Sequence, residues 1–382
     1  MDRTVYLDNA ATTKVDPKVI AAMQPYHSES YGNASSLHRL GRQAKKAVEE
    51  SRQAISSKLN AASGRLIFTS GGTESNNLAI KGVALAKRKE QDHIITTSTE
   101  HDCVLNSIGW LEKNGFKKTI VGVDREGFVD LSQLEDALTE KTALVSIIHG
   151  NNEVGTINRL KEVAKIVHSK GALLHTDACQ SFTKTELDID GWGLDLVTVN
   201  AHKIHGPKGV GALYVADNIP LQPGQHGGGH EWAMRSGTEN VPCIAGFAKA
   251  VSISDVSDIP KIEALRDRLI SEILEANPGS WLNGPKKERL CNNANISFPH
   301  IEGEGMLLYL DQKGVLVSTG SACSSHTLEP SHVLTSMGLP PEECHGAIRF
   351  SLSRYTTAEE IDYAIASVNE VAERLRKMSP YD

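Results

Sequence analysis

The chain has 382 residues, a net charge of −7, 40% hydrophobic residues, 32 glycines and six cysteines. That length supports two domains with real cores, and the ordinary charge content excludes a disordered chain. The lack of a basic stripe argues against nucleic acid as a ligand, and no apolar run approaches the roughly 20 residues that span a bilayer.

The N-terminus, MDRTVYLDNAATT, has an early acid and no apolar leader. The cysteines (Cys103, Cys179, Cys243, Cys291, Cys323 and Cys344) form no CxxC pair, which suits reduced thiols in a cytoplasmic protein. Through the first two-thirds, spacing predicts strands at 66–68, 93–95, 119–121, 144–148, 172–174 and 195–199. Amphipathic helices are predicted over 43–59, 75–88, 131–138 and 160–170. Strands separated by such helices give βαβ units and a mostly parallel sheet. Their continuously apolar character fits burial on both faces. The pattern changes over 251–258, where a polar stretch leads to Pro260 and a helix over 262–274. We therefore place a domain boundary near residue 255. Strands at 295–298, 315–318 and 347–351 and a last helix over 358–378 complete the chain.

Two segments dominate the chemistry: HTDACQS (175–181) and VNAHKIHGPKG (199–209). Each follows a buried strand, and ligands of open α/β sheets bind at strand ends, so Asp177 and Lys203 converge on one pocket. A lysine amine condenses with the aldehyde of pyridoxal phosphate, and a carboxylate keeps the pyridine nitrogen protonated so that the ring draws in electrons. Taken alone, such a pair is more often a surface lysine and a helix cap. Gly206, Pro207, Gly209 and Gly211 argue for close backbone approach instead.

The turn SGGTESNN (70–77) runs from a strand into a helix and offers backbone N–H groups, with Thr73, to a phosphate. The competing reading is a plain helix cap at Thr73. No GK[ST] follows, so it is not a P-loop. TEHDC (99–103) puts His101 after another strand, where it could stack on a ring and move protons. HGGGHE (226–231) spaces two histidines four apart, but three glycines do not hold a helix and HExxH is absent, so metal is not expected. RSGTEN (235–240) places Thr238 beyond that turn as a further donor. Five cysteines read as packing residues. Cys323, in STGSACSSHTLEPSH (318–332), has only small polar neighbours and is the nucleophile candidate, with His326 and His332 as cationic neighbours. Arg349, inside the strand GAIRFSLS (346–353), needs an anionic partner, and a substrate carboxylate fits.

These segments, in this order, resemble the cysteine desulfurases of the NifS/IscS type, a branch of the class V (fold-type I) aminotransferases. YLDNAATT, YGNASSLH, FTSGGTESNN, TEH, NNEVG, AHKIHGPKGVGALYV, GGGHE, RSGTEN and IRFSLSRYTT carry the resemblance across essentially the whole chain. It implies a fold-type I α/β architecture. A large cofactor domain would span 15–255, and a smaller α+β domain would combine 1–14 with 256–382. It also implies that Lys203 links covalently to pyridoxal phosphate, Asp177 pairs with the pyridine nitrogen, Gln180 reaches the ring hydroxyl and His101 stacks on the ring. Gly72, Thr73, Asn200 and His202 would hold the phosphate, with Thr238 reaching across a homodimer. Asn33, Asn152 and Arg349 would hold the carboxylate of L-cysteine, Asn152 also touching the cofactor. Cys323 would take the sulfur as a persulfide, in a long loop like that of the subgroup serving iron–sulfur scaffolds and tRNA thiolation, and could transiently ligate iron–sulfur there. Asn200 stands where the family usually has Ser, and Ala34 where it has Pro. A selenocysteine or cystine lyase, a transaminase and a non-catalytic carrier are the competing readings; Cys323 and the joint presence of Lys203, Asp177 and His101 argue against them.

Overall fold

In the computed structural model, residues 3–319 and 330–378 are described. A seven-stranded sheet forms the larger half, in the spatial order Arg65–Thr69, Gly211–Val215, Leu196–Asn200, Leu173–Asp177, Thr142–Ser146, His93–Thr97, Lys117–Val121. The last five run parallel to one another, and Gly211–Val215 is antiparallel to both of its neighbours. Thr142–Ser146, Leu196–Asn200 and Gly211–Val215 are buried at every residue, as strands covered on both faces must be. Lys117–Val121 is one edge, and its exposed Lys117 and Lys118 guard it against strand pairing with other chains.

Helices cover both faces. Leu160–His168 shows the logic: Leu160, Val163, Ala164 and Val167 are buried at the i, i+3, i+4, i+7 spacing of one helical stripe. Arg39–Lys58 buries Ala44, Ala47, Val48, Ser51 and Ile55, and the His38 ring caps its first turn by accepting from Gly41 N. Most helix and strand boundaries differ from those read in the sequence by one to five residues. Two differences bear on the site. The helix expected from Ser75 begins at Gly72, so Thr73 lies inside it and is not its cap. The strand Gly211–Val215 was not anticipated; it carries the sheet's one reversal of direction.

The C-terminal part holds a four-stranded antiparallel sheet, ordered Ser318–Thr319, Ala347–Ser351, Asn293–Ser297, Trp281–Asn283. Helices Asp258–Ala276, Gly303–Gln312 and Ala358–Met378 pack on it through Ile262, Leu269, Met306, Leu310, Ile361 and Val368. Val5 and Leu7 belong to this same apolar cluster, because Val5–Tyr6 pairs in parallel with Val315–Leu316. The chain then passes through the turn after Leu7 toward the large sheet. Thr13 N donates to His202 O at 2.9 Å, which fastens the N-terminal segment beside Lys203.

Candidate active site

The carboxyl ends of the parallel strands converge on one cavity of ≈ 310 Å³, where the physics of open α/β sheets places ligands. Its wall includes Gly72, Thr73, His101, Asn152, Asp177, Gln180, Asn200, His202, Lys203 and Arg349, together with Ala10, Ala11, Ile148, Cys103 and Cys179. Ten residues proposed from the sequence thus meet in one place. Asn33 and Thr238 do not join them. Asn33 is exposed and its Oδ1 accepts from Ser35 N at 2.8 Å, and Thr238 is exposed beyond the glycine turn. Cys323 and His326 lie outside the described residues.

Asp177 ends its strand and is 5% exposed. Its Oδ2 accepts from Asn76 Nδ2 at 2.6 Å and its Oδ1 from Cys179 N at 2.9 Å. Two N–H donors hold the carboxylate in one orientation as an acceptor. Lys203 follows the strand Leu196–Asn200, and its Nζ donates to Ala11 O at 2.8 Å and to Ala10 O. The Ala10 carbonyl also accepts from Gln180 Nε2 at 2.8 Å, so Gln180 has its amide nitrogen engaged there.

His101 caps the helix Asp102–Lys113, with Cys103 N donating to its Nδ1 at 3.2 Å. A backbone N–H can only donate, so the neutral ring carries its proton on Nε2. Cys103, expected as a packing residue, is half-buried in the cavity wall, with its sulfur 3.1 Å from His101 Nδ1 and 3.0 Å from Asn76 Nδ2. Cys179 also reaches the wall, and burial raises its thiol well above the usual range, aided by the Asp177 charge. His202 is lowered to about 4 by burial and by the charges of Lys203, Lys208 and Lys184; its Nδ1 lies 3.2 Å from Thr12 Oγ1. It acts as a neutral ring at physiological pH.

Glycines allow the close approach at the phosphate-type turn. The helix Gly72–Lys87 starts from Gly71 with no side-chain cap, leaving its first N–H groups for another acceptor. A Cβ on Gly72 would sit 2.7 Å from Cys179 Sγ and 3.5 Å from Asn200 Nδ2. A Cβ on Gly211, between Thr69 and Asn200 in the sheet, would lie 2.8 Å from the Gly71 backbone.

One end of the cavity is set by Arg349, 3% exposed in its strand and in register with Asn295 and Ser318. Nη1 donates to Asn152 O at 3.1 Å and Nη2 to Asp8 Oδ1 at 3.0 Å. Two buried acids had no role assigned from sequence. Glu100 is pushed up to about 8 by burial, against the hydrogen bonds it accepts from Thr97 Oγ1 and Ile148 N at 2.7 Å each. Burial likewise raises Glu153, which accepts from Ser331 Oγ at 2.5 Å. His332, expected beside Cys323, is engaged at Nε2 by Glu100 O at 2.9 Å. In the turn HGGGHE, residues 226–229 are coil and bends, so no regular helix aligns the two histidines, and Glu231 binds Arg52 at 2.7 Å. Among the described residues no group of His, Cys, Asp or Glu is placed to hold a metal ion. No helix among them is long and apolar enough to cross a membrane.

A strand-end lysine, a donor-locked carboxylate and a histidine over one cavity define a transferase-type site of the fold-type I class. The family model for aminotransferase class-V matches residues 5–364. The cysteine desulfurase IscS of Dictyoglomus turgidum is 48% identical, over 100% of this chain and 98% of its own length. A solved structure described as a NifS-like protein superposes with TM-score 0.92 at 39% identity, covering 97% of this chain and 100% of its own. A structure of SspA in complex with cysteine superposes with TM-score 0.83 at 36% identity, covering 93% of this chain and 100% of its own. The chain belongs to the class-V aminotransferase family, and within it to the cysteine desulfurases of the NifS/IscS type.

Proposed function

We propose that this enzyme removes sulfur from L-cysteine with pyridoxal phosphate in the cavity of Lys203 and Asp177, forming L-alanine and a persulfide on Cys323. The convergence of Lys203, Asp177, His101 and Arg349 on one cavity carries the reading. The residues fit the cofactor on their own chemistry. The uncapped amides at Gly72 and Thr73 suit a phosphate. The buried Oδ1 atoms of Asn152 and Asn200 have no partner among the described residues and call for a ligand donor or an ordered water. The absence of a Cβ on Gly72 and Gly211 keeps the turn close to the sheet.

When bound, pyridoxal phosphate supplies an aldehyde for the lysine amine and an electron-withdrawing ring that lowers the barrier to losing the substrate Cα proton. Asp177, fixed by Asn76 and Cys179 N, offers its negative charge to a protonated ring nitrogen. Lys203 Nζ, held by the Ala10 and Ala11 carbonyls, would serve as the base at the substrate Cα. His101 carries a proton on Nε2 for return to the product. Arg349 holds the substrate carboxylate, with Asn152 beside it in the cavity wall assisting. The Cys323 thiolate attacks the substrate sulfur; an S–S bond forms and the C–S bond breaks, leaving its electron pair on carbon.

We extend the same reading to a homodimer in which Thr238 serves the partner's site; its support is that Thr238 lies outside the cavity of its own chain. The onward acceptor would be an iron–sulfur scaffold or another sulfur carrier, in a reducing cytoplasm. Incubation of the protein with pyridoxal phosphate and L-cysteine tests the assignment. Alanine in step with protein-bound sulfur supports it, and sulfide release at full rate from Cys323→Ala replaces it with a lyase.

A further inference from the structure

Arg349 has three nitrogens with unequal fates. Nη1 is engaged by the Asn152 carbonyl and Nη2 by the Asp8 carboxylate, while the buried Nε has no acceptor among the described residues. A buried guanidinium N–H without a partner is unfavourable, and a carboxylate lying along the Nε–Nη2 edge would satisfy it in the bidentate geometry that arginine favours. That edge is shared, because Asp8 already accepts from Nη2. The Asp8–Arg349 pair is itself well enclosed, with side-chain exposures of 23% and 3%.

Asp8 is held in place independently of the pair. Its backbone bridges to Ser351, and Ala11 N donates to Asp8 O at 3.1 Å. Ala10 N donates to Ser351 Oγ at 2.8 Å, and Asn9 Nδ2 donates to Ser351 O at 2.8 Å. Arg349 and Ser351 lie two apart on one strand and so share a face. That face grips the turn twice, once by charge and once by hydrogen bonds.

We infer that Asp8 is a specificity-determining positioning residue. It orients the Arg349 guanidinium so that the Nε edge is left for a ligand carboxylate, and it keeps the buried cation neutralised between turnovers. The inference rests on the proposed role of Arg349 as the carboxylate site. An incoming carboxylate therefore shares its cation with a fixed neighbour of like charge, which weakens its hold and eases departure of an amino-acid product. A ligand without a carboxylate meets an already neutralised arginine and gains nothing from it.

The test uses the cofactor-free protein and 3-mercaptopropionate, which carries the carboxylate and thiol of the substrate but no amine, with binding read by calorimetry. Asp8→Asn keeps the acceptor and removes the charge, and binding should tighten about tenfold, about 1.4 kcal/mol. Asp8→Ser, which removes the charge and also the grip that orients the guanidinium, should tighten binding less than Asp8→Asn does. In the cofactor-loaded enzyme the KM for L-cysteine should fall in Asp8→Asn without a rise in kcat, and inhibition by cysteamine should not change. Arg349→Ala is the control and should abolish 3-mercaptopropionate binding. If it does so while the folded Asp8 variants bind no more tightly than the parent, the inference about Asp8 is overturned and the Arg349 reading stands. If Arg349→Ala binds like the parent, the carboxylate site lies elsewhere and both fail.

Discussion

Gly72→Ala should damage the cofactor cavity through one identifiable contact. The new Cβ would stand 2.7 Å from Cys179 Sγ, roughly 1 Å inside the ~3.5–4.0 Å separation at which non-bonded heavy atoms attract. Cys179 is 8% exposed, and its thiol is itself hydrogen-bonded to Asp177, so the sulfur cannot retreat without disturbing the carboxylate. Overpacking of this kind costs about 1–3 kcal/mol. Replacing Gly in a helix returns at most about 1 kcal/mol, and less in a first turn. The net loss should be about 1–2 kcal/mol. Removing the sulfur should remove the conflict, since the next nearest atom is Asn200 Nδ2 at 3.5 Å. Urea unfolding of the cofactor-free parent, Gly72→Ala, Cys179→Ala and the double variant forms a mutant cycle. The double variant should be more stable than the sum of the singles by about 1 kcal/mol or more. Strict additivity would refute the contact as the cause, as would a Gly72→Ala protein as stable as the parent.

Further outcomes follow from the same geometry. Lys203→Ala should lose the borohydride-reducible link to pyridoxal phosphate, and mass spectrometry locating the reduced adduct on Lys208 or Lys184 would displace the assignment. Glu100→Gln tests the buried acid by its pH dependence. Its native pKa, about 8, lies above the ordinary 4.5, so the unfolded state loses its proton first. Parent stability from this group is full below about 4.5 and is lost as pH rises through about 8. Gln mimics the protonated acid, so the variant should match the parent near pH 5 and exceed it by about 3–5 kcal/mol at pH 8 or above. Equal stability across that range in urea titrations would contradict a protonated Glu100. Mixing inactive Lys203→Ala with Thr238→Ala should raise activity above the mean of the two if Thr238 serves the partner's site, and unchanged activity after verified subunit exchange would exclude it.

Much of the cavity was legible because fold-type I chemistry sits where strands end. Asp177 and Lys203 follow apolar runs whose burial the sequence shows directly, and His101 and Gly72 follow two more. Contacts between distant segments were not legible. Asp8 stands 341 residues from Arg349, and a lone acid in an extended N-terminal segment carries no local pattern. Glu100 sits inside TEH, beside a histidine that drew the attention, and its burial depends on Thr97 and on Ile148 from a neighbouring strand end. An acid three residues after the strand His93–Thr97, whose apolar part is Ile94 and Ile95, is the one local signal that pointed to it. The strand Gly211–Val215 was missed because three glycines within 206–211 read as loop; one of them, Gly211, instead begins the strand and lets it lie against the Gly71 backbone. Cys103 looked like packing by composition alone, and its place beside His101 follows from the helix cap.

The most direct test of the central claim is a single-turnover reaction with L-cysteine followed by alkylation and mass spectrometry. Purified, cofactor-loaded protein is mixed with one equivalent of L-cysteine, and alanine and thiol modification are measured together. The account predicts one alanine per added sulfur atom, with a persulfide on the peptide containing Cys323 and none on those containing Cys103 or Cys179. It also predicts that Cys323→Ala retains the bound cofactor's visible band yet forms neither product. Alanine and free sulfide from Cys323→Ala at the parental rate would contradict it, as would a persulfide found first on another cysteine.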